Sequence, residues 1–473
     1  MEHLRQKLQQ VWGYDDFRSP QGEIAKAIFE GRDCLITLPT GFGKSICFQL
    51  PALMRTGVTL VISPLVALME NQVKELAEKG LSAATLHSEV DKQQRWQTVR
   101  SLQQNRLRLL YLSPETLLSK AIWEILSSPS VKIDALILDE AHCLTQWGES
   151  FRPTYRRLGS VRETLLACRP QGQRIAIAAF TATADPATQT ALRTVLKLED
   201  PQIFRLSPYR SNLHLAIKTV WTPSGRKNAL RKFIQQQGKQ SGLVYARTRR
   251  GTEALSKWLR SYQFSVCAYH GGLSALERRR IETGWIEGRY QFVVCTSAFG
   301  MGINKSDCRF VVHYEIPSLL AEYVQEVGRG GRDGKVANAL ALVNEPTGLL
   351  APEDKQRWKF FEQKAQQLER AAQQLVRQIP AEGHVDDVKR QIRDSEQALA
   401  LLHRDGRLQW TDPFHYRLEK KPSKGKEKRT NSTAEMKRYL LTRRCRWQVL
   451  LAAFGFEQDA AGWQCGKCDR CLK

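Results

Sequence analysis

CLITLPTGFGKS, residues 34–45, joins three unlike pieces in a dozen positions. Cys34–Leu38 is apolar or β-branched throughout. That is too continuous for an amphipathic helix and too short for a buried one, so it reads as a strand covered on both faces. A glycine-rich loop follows, and Lys44 opens a helical pattern. Strand, loop and helix in this order make a phosphate cradle. Gly41 and Gly43 let the backbone approach phosphate oxygens, Lys44 meets the outer phosphates, and Ser45 can ligate Mg²⁺. The strict pattern places Gly or Ala at position 38, where this chain has Leu38.

Outward from this stretch the same rhythm repeats. TLVIS (59–63), RLLYLS (108–113), ALILD (135–139) and RIAIAAF (174–180) read as buried strands, with helical segments such as LVALMENQVKELAEKG (65–80) between them. Alternation of this kind means a parallel α/β sheet. A second series follows: GLVYA (242–246), SVCAYH (265–270), FVVCT (292–296), FVVHYEI (310–316) and ALALV (339–343). We therefore expect two α/β domains, 1–206 and 207–347, joined near 205–212, with a ligand cleft between them. After residue 350 the strands stop. A helix is expected over 354–379. Residues 385–420 read as helix, helix and a two-stranded tip, 421–429 as a basic linker, and 433–455 as a last helix.

Bulk properties bound the function. A chain of 473 residues exceeds one small core. No run approaches the roughly 18–20 apolar residues of a membrane span, and the N-terminus has no apolar signal core. A cytoplasmic protein off the membrane is expected, nucleoid-associated if bacterial. Lys and Arg number 72 against 48 acids, a net charge of +24. That excess suits a polyphosphate partner, and a solvated basic surface is the other reading.

Of eleven cysteines, seven are scattered through apolar segments. The rest, Cys445, Cys465, Cys468 and Cys471, are spaced C-x19-C-x2-C-x2-C. Four such thiols can close a tetrahedral, structural Zn²⁺ site. A redox CxxC is the alternative, without a thioredoxin-like context to support it.

DEAH (139–142) follows the strand ALIL. Asp139 is placed to hold Mg²⁺ and Glu140 to orient and deprotonate an attacking water, unless the pair merely caps a strand. QEVGRGGRDG (325–334) sets Arg329 and Arg332 on a glycine-rich turn. Guanidiniums there can stabilise γ-phosphate charge in the transition state, or sit on a surface turn. Directly after the acidic pair, QWGESFRPTYRRLG (146–159) spaces Trp147, Phe151 and Tyr155 four apart among Arg152, Arg156 and Arg157. Such residues suit base stacking with phosphate or cation–π contacts. A helical core stripe is the alternative, against which Gly148 and Pro153 argue.

Taken together, the chain resembles the RecQ helicases of superfamily 2 over almost its whole length. The pieces fall in order: GYDDFRSPQ (13–21), TGFGKS (40–45), ISPLVALMENQV (62–73), DEAHCLTQWGESFRP (139–153), FTATAD (180–185), YHGGLSALERR (269–279), CTSAFGMGINKSDCRFVVHYEIP (295–317) and EYVQEVGRGGRDG (322–334). The resemblance implies two RecA-like motor domains and a helical zinc-binding module (348–384 plus 430–473). It also implies ATP-dependent unwinding of DNA with 3′ to 5′ translocation, in recombination and repair. Single-stranded and tailed duplex DNA are the expected partners, with a single-strand-binding or repair protein.

By the same resemblance, Tyr14, Phe17, Arg18 and Gln21 recognise adenine. Thr40, Gly41, Phe42, Gly43, Lys44 and Ser45 hold the phosphates, and Lys44, Asp139, Glu140, His142, Gln325, Arg329 and Arg332 serve hydrolysis. Trp147, Phe151 and Arg152 sense single-stranded DNA. Thr181 and Thr183 couple nucleotide state to it, and Thr296 and Ser297 track the strand. The cofactors are ATP, Mg²⁺ and structural Zn²⁺.

The chain departs from the family's commonest form by ending two residues after Cys471, so a short form without the usual downstream winged-helix and HRDC domains is expected. SEQALALLHRDGRLQW (395–410) with PFHYRLEK (413–420) is read as a small winged helix inserted at 385–420. Trp410, Phe414, His415 or Tyr416 would then part duplex strands, or the segment is a packing subdomain. The basic stretch 417–429, with seven cations and two acids, can hold phosphates. Two other classes remain open: an RNA helicase, and an ATP-regulated binding or annealing protein with weak unwinding.

Overall fold

The computed structural model describes residues 1–145, 152–299, 303, 305–345, 352–419 and 432–472. The chain divides into two compact units, one of residues 1–38, 42–206 and 364–429, the other of 39–41, 207–363 and 430–473.

The first unit is built on seven strands: β1 (Cys34–Thr37), β2 (Val58–Ile62), β3 (Ala83–Leu86), β4 (Leu109–Leu112), β5 (Ile133–Leu138), β6 (Ala176–Thr181) and β7 (Gln202–Arg205). They lie in the order β3-β4-β2-β5-β6-β1-β7, all parallel. Helices cover both faces, which is why the central strands are almost wholly apolar. Along β5, Leu136 and Leu138 enter one core layer, and Ala135 and Ile137 the other. Because the strands are parallel, the carboxyl ends of neighbours β5, β6 and β1 line up, and in such sheets that edge carries the ligand. Its loops begin at Asp139, Ala182 and Leu38, with Thr181 closing β6.

The second unit repeats the plan with β8 (Leu213–Val220), β9 (Gly242–Tyr245), β10 (Val266–Tyr269), β11 (Phe292–Cys295), β12 (Phe310–His313) and β13 (Ala337–Asn344). Their order is β10-β11-β9-β12-β13-β8, again parallel. Two RecA-like sheets are therefore present. The final helices, Ser432–Leu441 and Arg446–Ala453, pack with β8 and β13 in one apolar cluster holding Tyr439, Trp447 and Leu450.

Residues 382–418 form a third, antiparallel sheet of β14 (Glu382–His384), β15 (Leu408–Trp410) and β16 (His415–Leu418), ordered β14-β16-β15. Helices Val385–Gln391 and Ser395–Arg404 lie between β14 and β15. The second of these helices is buried along Ala398–Leu402 and packs on the 3-10 segment Pro153–Ser160 of the first unit. A recognition helix must leave a face free for a groove, and this one is spent on packing. Trp410 and Tyr416 lie in the segment's own core. Phe414 packs edge-on against Trp123, at 5.2 Å between ring centres. His415 alone of the four tip candidates is exposed. These contacts describe the packing reading of 385–420. Phe414→Ala removes a half-buried ring and is expected to lower stability by about 2 kcal/mol. A urea midpoint unchanged by the substitution would contradict that seat.

Candidate nucleotide and nucleic-acid site

In the first unit the loop between β1 and the helix Lys44–Leu53 turns through two left-handed glycines, Gly41 at φ +81° and Gly43 at φ +78°. A Cβ on Gly43 would sit 2.8 Å from the Gln21 amide nitrogen. That amide donates to the Phe42 carbonyl at 2.7 Å and the Gly43 carbonyl at 3.2 Å, while its oxygen accepts from the Arg18 N–H at 3.0 Å. Gln21 thus ties the segment around Arg18 to the loop of Gly41 and Gly43. Tyr14 and Arg18 are exposed, as a base-stacking pair needs. Phe17 is half-buried and packs with Leu4, Leu8 and Leu50. Thr40, Phe42, Lys44 and Ser45 are half-buried and Gly41 is exposed.

Across the carboxyl edge, β5 delivers Asp139 and Glu140. The Glu140 carboxylate lies 3.6 Å from Lys44 Nζ and 3.3 Å from His142 Nδ1. Glu140 itself is held at φ +50°, a left-handed conformation uncommon outside glycine. Burial, then the charge of Glu140, pushes the Asp139 carboxyl up to about 6 against the pull of Lys44. A divalent cation would reverse that. An oxygen-rich pair of Asp139 with the Ser45 hydroxyl suits a hard cation such as Mg²⁺.

His142 is buried, and burial lowers its pKa, so the neutral ring is favoured. Its Nδ1 lies 3.0 Å from the Thr181 hydroxyl. That hydroxyl in turn accepts from the Thr183 N–H at 3.2 Å. Lys44, Glu140, His142, Thr181 and Thr183 are therefore one continuous set of contacts spanning three neighbouring loops.

Trp147 and Phe151 lie outside the described residues. The three arginines read with them part company. Arg152 reaches the Pro64 carbonyl at 2.8 Å and Glu115 at 3.3 Å. Arg156 and Tyr155 are fully buried. Arg157 donates to the Pro413 carbonyl at 2.6 Å and lies over the Phe414 ring at 5.6 Å. Arg157 holds the 385–418 segment, and both Arg156 and Arg157 are buried and offer no surface to phosphates. Sequence spacing could not separate these uses, since the partners lie some 250 residues away.

In the second unit, Gln325 sits half-buried on the helix Leu320–Val327, and the turn after it carries Arg329 and Arg332. Burial, then the charge of Arg329, pushes the Arg332 guanidinium down to about 10, and its Nη1 donates to the Ile303 carbonyl at 3.0 Å. Sequence reading missed the buried network behind this turn. Arg247 makes two bonds to Glu326, at 3.0 and 2.6 Å, and His313 a third at 2.8 Å. Burial alone would raise the Glu326 carboxyl, but Arg247 and then His313 outweigh it and hold it at about 2. Thr296 is half-buried and Ser297 exposed in the turn that ends β11, where the Thr296 N–H donates to the Tyr269 carbonyl at 3.1 Å.

Cys445, Cys465, Cys468 and Cys471 converge, with all four sulfurs within 4.8 Å of one another. Tetrahedral zinc with Zn–S bonds of about 2.3 Å sets sulfur–sulfur edges of roughly 3.8 Å. Three separations here are 3.5, 3.9 and 3.9 Å. Backbone N–H groups of Arg446, Cys465 and Lys467 donate to Cys468, Cys445 and Cys465 sulfurs at 3.3–3.4 Å, as expected for thiolate ligands. The donor set fits Zn²⁺. Arg446 braces it through two 2.8 Å bonds to Asp469.

Family comparisons cover most of the chain. Residues 18–192 match the DEAD/DEAH box helicase family, 225–334 the helicase conserved C-terminal domain, and 387–472 the RecQ zinc-binding family. The last match takes in most of the segment that sequence reading set apart as an insert. The chain is 48% identical to the ATP-dependent DNA helicase RecQ of Synechocystis over 473 residues, covering 100% of this chain and 98% of the relative. To the Bacillus subtilis protein of the same name it is 35% identical, over 82% of this chain and 63% of that one. Among solved structures, Mycobacterium smegmatis helicase Lhr bound to ssDNA and AMP-PNP superposes with a TM-score of 0.59 at 20% identity, covering 88% of this chain and 60% of that one. Dbp5 of S. cerevisiae bound to RNA and ADP BeF3 gives 0.59 at 17%, over 76% and 92%. At such identities the structural likeness speaks for the fold. The full-length relative and the three family matches settle the assignment: the chain belongs to the RecQ family of ATP-dependent DNA helicases.

Proposed function

We propose that this helicase translocates 3′ to 5′ on single-stranded DNA and parts the duplex ahead of it, in recombination and repair. The observation that carries the coupling is the contact series Lys44–Glu140–His142–Thr181–Thr183. The phosphate loop (Thr40, Gly41, Phe42, Gly43, Lys44 and Ser45) takes the triphosphate, and Tyr14, Phe17, Arg18 and Gln21 select adenine. Asp139 and Ser45 hold Mg²⁺, which supplies charge neutralisation to the phosphates. Glu140 takes the proton of the attacking water. Gln325, Arg329 and Arg332 serve the same hydrolysis, the guanidiniums countering γ-phosphate charge. His142 transmits the state of Glu140 to Thr181 and Thr183. Trp147 and Phe151 stack bases, Arg152 adds a phosphate contact or a cation–π interaction, and Thr296 and Ser297 follow the strand from the second unit. Tailed duplex DNA is the substrate, and a single-strand-binding or repair protein the partner.

Steady-state ATPase with no nucleic acid, with single-stranded DNA and with RNA of equal length tests the substrate. Unwinding of 3′- and 5′-tailed duplexes tests the polarity. Stimulation by DNA and unwinding of the 3′-tailed duplex alone are expected. Equal stimulation by RNA, or preference for the 5′ tail, would overturn the reading. A stacked base contributes about 1–3 kcal/mol. Trp147→Ala is therefore expected to raise the DNA concentration for half-maximal stimulation by about 5- to 150-fold.

A further inference from the structure

The short segment ahead of β8, Tyr209–Asn212, is gripped from two sides. On one side is the zinc module. The Tyr209 ring meets Trp447 and Trp463 edge-on, at 5.3 and 4.7 Å between centres. Lys467 Nζ donates to the Ser211 carbonyl at 3.1 Å, Trp447 Nε1 to the Leu213 carbonyl at 3.1 Å, and the Asp469 N–H to the Leu215 carbonyl at 3.1 Å. On the other side is the turn that carries the two arginines. Arg210 Nη1 donates to the Gly328 carbonyl at 3.0 Å and its Nη2 to the Gly331 carbonyl. Asn212 Nδ2 donates to the Gly331 and Lys335 carbonyls at 2.7 Å each. The segment closes in a turn of its own, with the Leu213 N–H donating to the Arg210 carbonyl at 3.1 Å, so the Arg210 and Asn212 side chains meet the arginine turn while the Tyr209 ring and the Ser211 carbonyl meet the metal module.

The turn needs such a hold. Arg329, Arg332 and Arg210 crowd one another, and their mutual repulsion opposes the geometry. Gly331 stands at φ +56°, and a Cβ there would lie 2.5 Å from the Asn212 amide nitrogen and from the Lys335 carbonyl. The backbone passes so close that only glycine fits between brace and turn. A guanidinium spanning two carbonyls three residues apart fixes the turn as a rigid loop, which a point charge cannot do.

We propose that Arg210 and Asn212 are positioning residues for the arginine turn, and that the zinc module sets this brace by clasping Tyr209 and Ser211. The inference rests on the role in hydrolysis given above to Arg329 and Arg332. Arg210 is argued to act through them and not on the nucleotide. A displacement of about 1 Å in a catalytic group costs up to about 10²-fold in rate. Arg210→Ala is accordingly expected to lower DNA-stimulated kcat by about 10- to 100-fold with KM for ATP and zinc content unchanged. Arg210→Lys should not restore it. Hydrogen exchange of the Gly330 and Gly331 amides should quicken.

The deciding experiment is a double-mutant cycle of Arg210→Ala with Arg332→Ala on the full chain. If Arg332→Ala alone leaves kcat unchanged, the role of the turn in hydrolysis fails, and the exchange rates still judge the brace. If Arg332→Ala lowers kcat and Arg210→Ala adds nothing to it, the brace stands. If the two effects multiply, or Arg210→Lys is fully active, the brace is overturned. Should Arg210→Ala fail to fold, Asn212→Ala removes only the donors to Gly331 and Lys335 and is read by the same cycle.

Discussion

In the Glu140→Gln protein, kcat for ATP hydrolysis is expected to fall by about 10²- to 10⁴-fold, the range in which a positioned general base contributes. Nucleotide binding should survive. Gln matches Glu in size, so the half-strained backbone at φ +50° has no new reason to relax. The amide cannot take the proton, and that single loss isolates the chemical step. Two side effects oppose each other. Lys44 loses the carboxylate 3.6 Å away. Asp139 loses the neighbour whose charge, after burial, helps raise its pKa. A neutral residue at 140 therefore lets Asp139 stay ionised to lower pH, which favours a divalent cation. Steady-state ATPase with saturating single-stranded DNA and equilibrium binding of a fluorescent ATP analogue separate the two steps. A variant that hydrolyses ATP at a tenth of the parent rate or faster would show that some other group activates the water. Thr181→Val should then be examined beside it, because it removes the hydroxyl 3.0 Å from His142 while leaving Glu140 alone.

Much of this arrangement was legible in the sequence, for a reason visible in the strands. Those covered on both faces, such as β1, β4 and β11, carry no polar interruption and announce themselves. The edge strands β3, β7 and β8 went unread. In β7 half-buried residues alternate with exposed ones, and in β8 buried residues mix with exposed ones, so neither shows a continuous apolar run. The phosphate loop and the acidic pair were legible because local chain geometry makes them. The four cysteines were legible because metal geometry restricts their spacing. The arginines were not. Arg152, Arg156 and Arg157 are equal on paper, yet one lies near the surface and two are enclosed by a segment folded back from far down the chain. Arg210 and Asn212 carried no motif signal because their bonds go to backbone carbonyls, which have no residue identity to read. For the same reason the 385–418 segment was correctly divided into two helices and two strands while its partner remained open. Element type is written in short periods, but which face meets what is decided by tertiary packing.

Removal of zinc is expected to unfold residues 445–471 and to carry the effect into the motor. The module has few residues for a core of its own, and pieces below about 40 residues depend on metals or bridges. Structural zinc contributes an apparent ~10–16 kcal/mol in isolated zinc-finger peptides at neutral pH. Here part of that is replaced by packing of Tyr439, Trp447 and Leu450 against β8 and β13, so the loss in the whole chain should be smaller. Even about 5 kcal/mol corresponds to a drop of roughly 10–20 °C in Tm for a unit of this size. Cys468→Ser makes the same test without a chelator, since that sulfur is buried and receives the Arg446 N–H as well as facing the other thiols. The expected signature is loss of bound zinc, with Trp447 and Trp463 fluorescence moving toward that of solvated indole. Rapid hydrogen exchange should follow through 445–471. If Tm and the tryptophan signal held while zinc was lost, packing alone would suffice and the four cysteines would be ornament to a preformed core. If instead the module melts, Trp447 Nε1 releases the Leu213 carbonyl, and Tyr209 loses both indoles. ATP turnover should then fall in the same titration, although no zinc ligand lies among the residues proposed to bind phosphate.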